Sequence, residues 1–175
     1  MKHVLFFIAE KDFRDEEYFE PKQVLEDEGI ICEAVSTNPV QAEGKLGAVV
    51  MPTVNLDKVV IDEYDAIVLV GGPGAPEMGK DQKVQQRIIE AYQKNKIIAA
   101  ICIAPTVLAE MNMLNGKCAT VFPSGTETLK QFDAVYKDEP VVVDKSDPKH
   151  IFITAKGPEA AVQFGKTICT ELSSD

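Results

Sequence analysis

The feature that most constrains the fold is a series of short, continuously apolar runs separated by segments with helical spacing. Val4–Ala9, Ala66–Val70 and Ile97–Ile101 contain no charged residue. Strands that are buried on both faces have such runs, and helices between them form parallel crossovers. The pattern therefore predicts a doubly wound α/β sandwich with a mostly parallel central sheet.

The whole chain fits this plan as a single domain, 1–175, flavodoxin-like in its general layout. Its 175 residues are an ordinary length for one domain, and no linker or repeat divides them. Strands are predicted at 3–9, 30–35, 66–70, 97–101, 118–121, 141–143 and 151–154, and a hairpin at 40–50. Helices are predicted at 14–29, 81–95, 104–113, 126–132 and 158–172.

The charge balance excludes several kinds of partner. The net charge is -10 and the pI is about 4.7, whereas nucleic acids and anionic membranes require a basic surface. No apolar stretch approaches the roughly 20 residues of a membrane-spanning helix, and charge returns too early after the first strand for a signal peptide. We therefore expect a cytoplasmic protein that binds neither nucleic acid nor membrane.

Cys102 lies where the strand 97–101 turns into the next helix. Ala100 and Ala104, two positions to either side, are small, as the tight turn of a nucleophile elbow requires. Pro105 fits the first turn of a helix. The amino end of this helix is expected to lower the thiol pKa. A buried structural cysteine is the alternative, and the spacing favours the elbow.

Two other loops follow strands at the same edge of the sheet, where folds of this class form their sites. The glycine-rich segment 71–75 lets backbone N–H groups approach a ligand closely. It is either an oxyanion hole beside Cys102 or a plain turn. The acidic run 12–21 is interpreted as a solvated helix start, from which one carboxylate could point at the thiol. The pattern alone leaves open which one.

The remaining cysteines and histidines are interpreted as structural. Cys32 lies within a strand, Cys118 begins one and Cys169 belongs to the last helix. His3 and His150 begin strands, at the end of the sheet opposite the site. No cysteine or histidine spacing indicates a metal or a disulfide framework, and we expect no cofactor.

Four segments in this order resemble the ThiJ/PfpI superfamily: 12–17 with Pro21, 68–75, 100–105 and 154–158. The resemblance implies an elbow cysteine, matched by Cys102, and a helix glutamate that hydrogen-bonds its sulfur, matched by Glu17. It implies backbone contacts from Gly72 and Ile103, and it suggests a homodimer. The pocket residues expected in the same loops are Gly71, Pro73, Phe122 and Pro123.

Two departures from the superfamily pattern bear on activity. Ile103 stands where the protease-like branch has histidine, and Phe122 stands before Pro123 where the deglycase branch has histidine. Since a Cys-His pair generates thiolate and moves protons, peptidase activity is not expected.

Three functions are compared. In the first, a glyoxalase- or deglycase-like enzyme, Cys102 adds to a small carbonyl such as methylglyoxal and Glu17 moves protons. In the second, a non-catalytic redox-sensing or chaperone-like stress protein has no substrate, and Cys102 oxidises to sulfinate. A peptidase is third.

Overall fold

The computed structural model describes residues 1–174 and alternates strands with helices, as the apolar runs predict. In chain order the strands are β1 (His3–Phe7), β2 (Lys11–Phe13), β3 (Ile31–Val35), β4 (Ala42–Gly44), β5 (Val49–Val50), β6 (Ala66–Leu69), β7 (Ile97–Ile101), β8 (Cys118–Ala119), β9 (Val135–Tyr136), β10 (Val141–Asp147) and β11 (His150–Ala155). The α-helices are α1 (Asp15–Asp27), α2 (Ala75–Met78), α3 (Gln82–Gln93), α4 (Pro105–Glu110), α5 (Thr126–Gln131) and α6 (Ala161–Leu172).

Six strands form the central sheet, in the order β10-β11-β7-β6-β1-β3. β1 pairs in parallel with β3 and β6, and β7 pairs in parallel with β6 and β11. Only the edge strand β10 is antiparallel, to β11. The predicted mostly parallel sheet is confirmed, and β6 and β7 are buried along their whole length.

Helices cover both faces of this sheet. α1 connects β1 to β3 in one direction across the sheet, and α3 belongs to the connection from β6 to β7 in the other. Right-handed crossovers in opposite directions place their helices on opposite faces. α6 packs against α1 and shares its face, whereas α3 packs on β6 and β7. No helix among the described residues is long and apolar enough to cross a membrane.

Two small sheets lie beside the central one. The hairpin expected at 40–50 is present as β4 and β5, and β2 pairs with β4 to complete a three-stranded sheet. The strand predicted at 118–121 is shorter, and it pairs with β9. β2, β9 and α2 were not predicted from the sequence, because elements of two to four residues carry no periodicity of their own.

The topology places three loops at one edge of the sheet. β3 and β6 flank β1 on opposite sides, so the chain direction reverses next to β1. The carboxyl ends of β1, β6 and β7 meet at this edge, where doubly wound sheets form their crevice. The loops that follow these strands lead to Glu17, Gly72 and Cys102.

Candidate active site

Cys102 occupies a strained turn at the end of β7. Its backbone φ is +64°, a left-handed conformation that is uncommon for a residue with a side chain. The Cys102 N–H donates to the Ala155 carbonyl at 2.9 Å, and the Cys102 carbonyl accepts from the Phe122 N–H at 2.8 Å. Ala100 and Ala104 are fully buried. The backbone therefore has the form expected of a nucleophile elbow.

Glu17 is the carboxylate of the acidic run that points inward. It lies in the first turn of α1 and is completely buried. Neither carboxyl oxygen has a hydrogen-bond partner of ordinary geometry among residues 1–174. A Cβ built on Gly71 would lie 2.2 Å from Glu17 Oε2 and 2.5 Å from the Cys102 Cβ. Gly71 therefore separates the carboxyl from the cysteine, and only a glycine leaves them room.

Burial controls the ionisation of this pair. Burial raises the pKa of Glu17 to about 7, against smaller opposing effects of the Cys102 thiol, Arg14 and the Gly71 N–H. Burial, followed by the charge of Glu17, raises the pKa of the Cys102 thiol to about 12. While Glu17 carries the charge, the thiol pKa is therefore raised, against the expectation from the elbow. Apolar surroundings and the nearby carboxylate both disfavour a charged sulfur.

Two backbone N–H groups oppose this rise of the thiol pKa. The N–H groups of Gly72 and Ile103 lie against the sulfur and lower its pKa. Gly72 has φ of +103°, and a Cβ there would lie 2.5 Å from the Arg14 nitrogen. The Arg14 N–H in turn donates to the Gly71 carbonyl at 2.9 Å. The glycine-rich loop is thus held by direct backbone contact with the segment before α1.

A pocket of about 220 Å³ opens above Cys102. Of the pocket residues expected from sequence, Pro73 and Phe122 line it, Gly71 lies between Glu17 and Cys102, and Pro123 is exposed outside the lining. The lining residues that the sequence analysis missed are Arg14, Lys45, Pro76, Ser124 and Pro158. A wider hollow of about 670 Å³ nearby is lined by both charged and apolar residues and contains no cysteine or histidine.

Two residues next to Glu17 make specific contacts, whereas a solvated helix start was expected. Asp15 is buried, and its carboxylate accepts from the N–H groups of Leu46 and Ala48 at 2.8 and 2.9 Å. Glu16 is partly exposed and pairs with the Arg14 side chain at 2.9 Å. Asp15 therefore fixes the β4–β5 hairpin across about 30 residues of chain, a contact that leaves no pattern in the sequence. Glu16 holds the Arg14 side chain from two positions away.

The other cysteines and both histidines lie away from the pocket lining. Cys32 is in β3, Cys118 in β8 and Cys169 in α6, and all four cysteines are free thiols. His3 begins β1. His150 begins β11, stacks on a tyrosine ring and contacts Asp147. Among residues 1–174, no cluster of side chains could hold a metal ion.

Comparison with known proteins agrees with this architecture. The model of the DJ-1/PfpI family matches residues 2–171. An uncharacterised protein of Methanocaldococcus jannaschii is 44% identical over 165 residues, which cover 93% of this chain and 78% of the relative. A protein of Pyrococcus horikoshii named as a deglycase is 28% identical over 140 residues, 80% of this chain and 84% of the relative.

A solved ThiJ/PfpI domain protein from Brachyspira murdochii superposes with a TM-score of 0.92 at 28% identity. The superposition covers 99% of this chain and 97% of that one. The fold and the nearly complete match of the family model lead to one conclusion: the chain belongs to the DJ-1/PfpI family.

Proposed function

We propose that the protein hydrates small 1,2-dicarbonyl compounds such as methylglyoxal to 2-hydroxy acids, with Cys102 as nucleophile and Glu17 as proton carrier. The observation that supports this most strongly is the buried, unpartnered Glu17 carboxyl beside a cysteine at a strained elbow. A buried carboxyl with a pKa raised to about 7 suits general acid–base catalysis near neutral pH.

The charge of the deprotonated pair is proposed to reside on sulfur. With pKa values of about 7 and about 12, Glu17 and Cys102 keep one proton between them over a wide range of pH. Two backbone N–H groups, of Gly72 and Ile103, lie against the sulfur. The carboxyl has only the Gly71 N–H near it, and its oxygens have no hydrogen-bond partner of ordinary geometry in the described part of the chain. A thiolate beside a neutral Glu17 is therefore better stabilised than a carboxylate beside a thiol.

The reaction follows from this arrangement. Sγ of Cys102 attacks the aldehyde carbon, a C–S bond forms, and the carbonyl oxygen takes the Glu17 proton to give a hemithioacetal. The Glu17 carboxylate then removes the hydrogen of that carbon as a proton and passes it to the neighbouring ketone oxygen, which gives an enediol. The proton of the hemithioacetal hydroxyl moves to the second carbon, so that this carbon bears a hydroxyl and the first becomes a thioester carbonyl. Water cleaves the resulting thioester, which releases the 2-hydroxy acid and regenerates the thiol.

The relative that is named as a deglycase supports a carbonyl substrate for this chain, at modest identity. The absence of histidine from the pocket lining supports Glu17 as the proton carrier and argues against a peptidase. The homodimer and the cytoplasmic compartment expected from sequence stay predictions.

The test is the conversion of methylglyoxal to lactate by the purified protein. We expect turnover by the wild type and by Cys118→Ser, which removes a thiol outside the pocket. Cys102→Ser abolishes turnover because no nucleophile remains, and Glu17→Gln abolishes it because an amide cannot carry the proton. Lactate formation that persists in Cys102→Ser contradicts the proposal, as does its absence from the wild type.

A second function, redox sensing through a Cys102 sulfinate, is favoured by one observation. The Glu17 carboxyl has no hydrogen-bond partner of ordinary geometry in residues 1–174, and when neutral it would donate to a sulfinate oxygen. Peroxide treatment followed by peptide mass spectrometry tests this function. Two added oxygen atoms at Cys102 are expected in the wild type and in Glu17→Gln, and fewer in Glu17→Leu, which has no donor. Equal oxidation in all three proteins excludes this stabilising role.

A further inference from the structure

The mouth of the pocket carries a lysine whose charge is not neutralised by a neighbour. Lys45 lines the pocket with Cys102 and Glu17, and its side chain is exposed. No ion pair or side-chain hydrogen bond involves Lys45 within residues 1–174. A cation without a partner at the entrance of a small pocket attracts anionic ligands.

The backbone that carries Lys45 is firmly held. The Lys45 N–H donates to the Phe13 carbonyl at 2.9 Å. The next turn is fixed by the buried Asp15 carboxylate, which accepts from the N–H groups of Leu46 and Ala48. The backbone of Lys45 is therefore bound to the segment that leads into α1 and Glu17, and this contact holds the lysine at the pocket.

Arg14 supplies a second cation. Its Nε and Nη2 donate to the Glu16 carboxylate at 2.9 and 3.2 Å. Nη1 has no hydrogen-bond partner in the described part of the chain, and the guanidinium interacts electrostatically with both Glu17 and Cys102. Arg14 and Lys45 are the only lining residues that carry a positive charge, in a protein of net charge -10.

The pocket is also larger than the smallest dicarbonyls require. Its volume of about 220 Å³ equals the space of roughly seven water molecules in the liquid, whereas methylglyoxal has five non-hydrogen atoms. Space therefore remains beyond the two carbonyl groups, in a pocket whose lining includes Lys45 and Arg14.

We propose that the preferred substrates are 1,2-dicarbonyls that carry an anionic group, a carboxylate or a phosphate, held by Lys45 and Arg14 while Cys102 attacks the aldehyde. The proposal rests on the proposed function for its reaction. The contact of an anion with these two cations does not depend on turnover.

Iodoacetate and iodoacetamide test this anion preference directly. They are nearly the same size and alkylate the same thiol, but only iodoacetate is charged. The measurement is the ratio of their rate constants at Cys102, determined by mass spectrometry of the Cys102 peptide at low salt. The ratio cancels differences in thiolate content, because both reagents require the same thiolate.

Three variants test whether the preference for iodoacetate comes from Lys45 or from the overall charge of the protein. Removing one exposed charge near the thiol is expected to lower the iodoacetate-to-iodoacetamide ratio about threefold in Lys45→Gln and about tenfold in Lys45→Glu. Lys149→Gln is the matched control, because Lys149 is also exposed but lies with Ile97 at the opposite end of β7. It should leave the ratio unchanged.

Added salt should reduce the wild-type ratio toward that of Lys45→Gln. A ratio that is the same in wild type, Lys45→Gln and Lys45→Glu overturns the proposal, and so does a Cys102 that neither reagent modifies.

The outcomes distinguish this proposal from the proposed function. If the ratio depends on Lys45 but methylglyoxal is not consumed, the anion site stands and the hydration reaction fails. If methylglyoxal is consumed and the ratio does not depend on Lys45, the reaction stands and the anion site fails. In that second case, a direct comparison of 4,5-dioxopentanoate with neutral 2-oxopentanal should show no preference for the charged substrate.

Discussion

Replacing Glu17 with glutamine is expected to stabilise the protein, and to do so more strongly as the pH rises. The Glu17 carboxyl is completely buried, and its pKa is raised from 4.5 to about 7 on folding. Folding therefore opposes the ionisation of this group. Glutamine has nearly the same shape and cannot ionise. The stability of the variant therefore contains no cost for ionising a buried carboxyl at this position.

The pH window follows from the two pKa values. Below about pH 4.5 the carboxyl is protonated in both the folded and the unfolded chain, and ionisation costs nothing. Between about pH 4.5 and 7 the unfolded chain releases the proton while the folded protein keeps it, so wild-type stability falls. Above about pH 7 the folded pair of Glu17 and Cys102 has also released one proton, so the loss levels off. Between pH 5 and 8 the loss amounts to about 2.5 kcal/mol.

Urea unfolding at about pH 5 and about pH 8 measures this difference. The free energy of unfolding of Glu17→Gln, minus that of the wild type, should increase by about 2.5 kcal/mol between the two conditions. Taking the difference cancels the titrating groups that do not interact with Glu17, which both proteins share. Glu20→Gln is the control, because Glu20 is partly exposed on the same helix. A difference that does not change with pH, or that Glu20→Gln reproduces, would refute the reasoning.

Two further outcomes are expected. Gly71→Ala should destabilise the protein by about 1–3 kcal/mol in denaturant unfolding and abolish turnover, because its Cβ would lie 2.2 Å from Glu17 Oε2 and 2.5 Å from the Cys102 Cβ. Gly157→Ala is the control and should be nearly neutral, because the nearest atom to its Cβ lies at 3.4 Å. Cleavage of fluorogenic peptides should be absent, since no histidine lines the pocket, and cleavage that Cys102→Ser removes would show that another base serves.

The elbow could be predicted from sequence because its determinants are local. Cys102 directly follows an apolar strand, and Ala100, Ala104 and Pro105 lie within three residues of it. The parallel sheet was predictable for a similar reason, since each buried strand is a continuous apolar run. Such signals need no knowledge of which segments meet in space.

The rest of the site depends on contacts between distant segments. Lys45 reaches the pocket because Asp15 fixes a hairpin about 30 residues further along the chain. No sequence pattern in either segment predicts this contact. The elbow also predicts a lower thiol pKa, whereas the burial of Cys102 and the charge of an ionised Glu17 raise it. Burial is a property of the packed molecule, so the spacing of residues could not supply it.

The central claim is that the deprotonated pair carries its charge on the sulfur of Cys102 and its proton on Glu17. The most direct measurement is the ultraviolet absorbance of the thiolate against pH, taken as the difference between wild type and Cys102→Ser. The account predicts that thiolate forms as the pair loses its first proton, near the pH of about 7 that burial gives to Glu17. A thiolate signal that stays absent at neutral pH and emerges only toward pH 12 would contradict it, because the proton would then remain on sulfur.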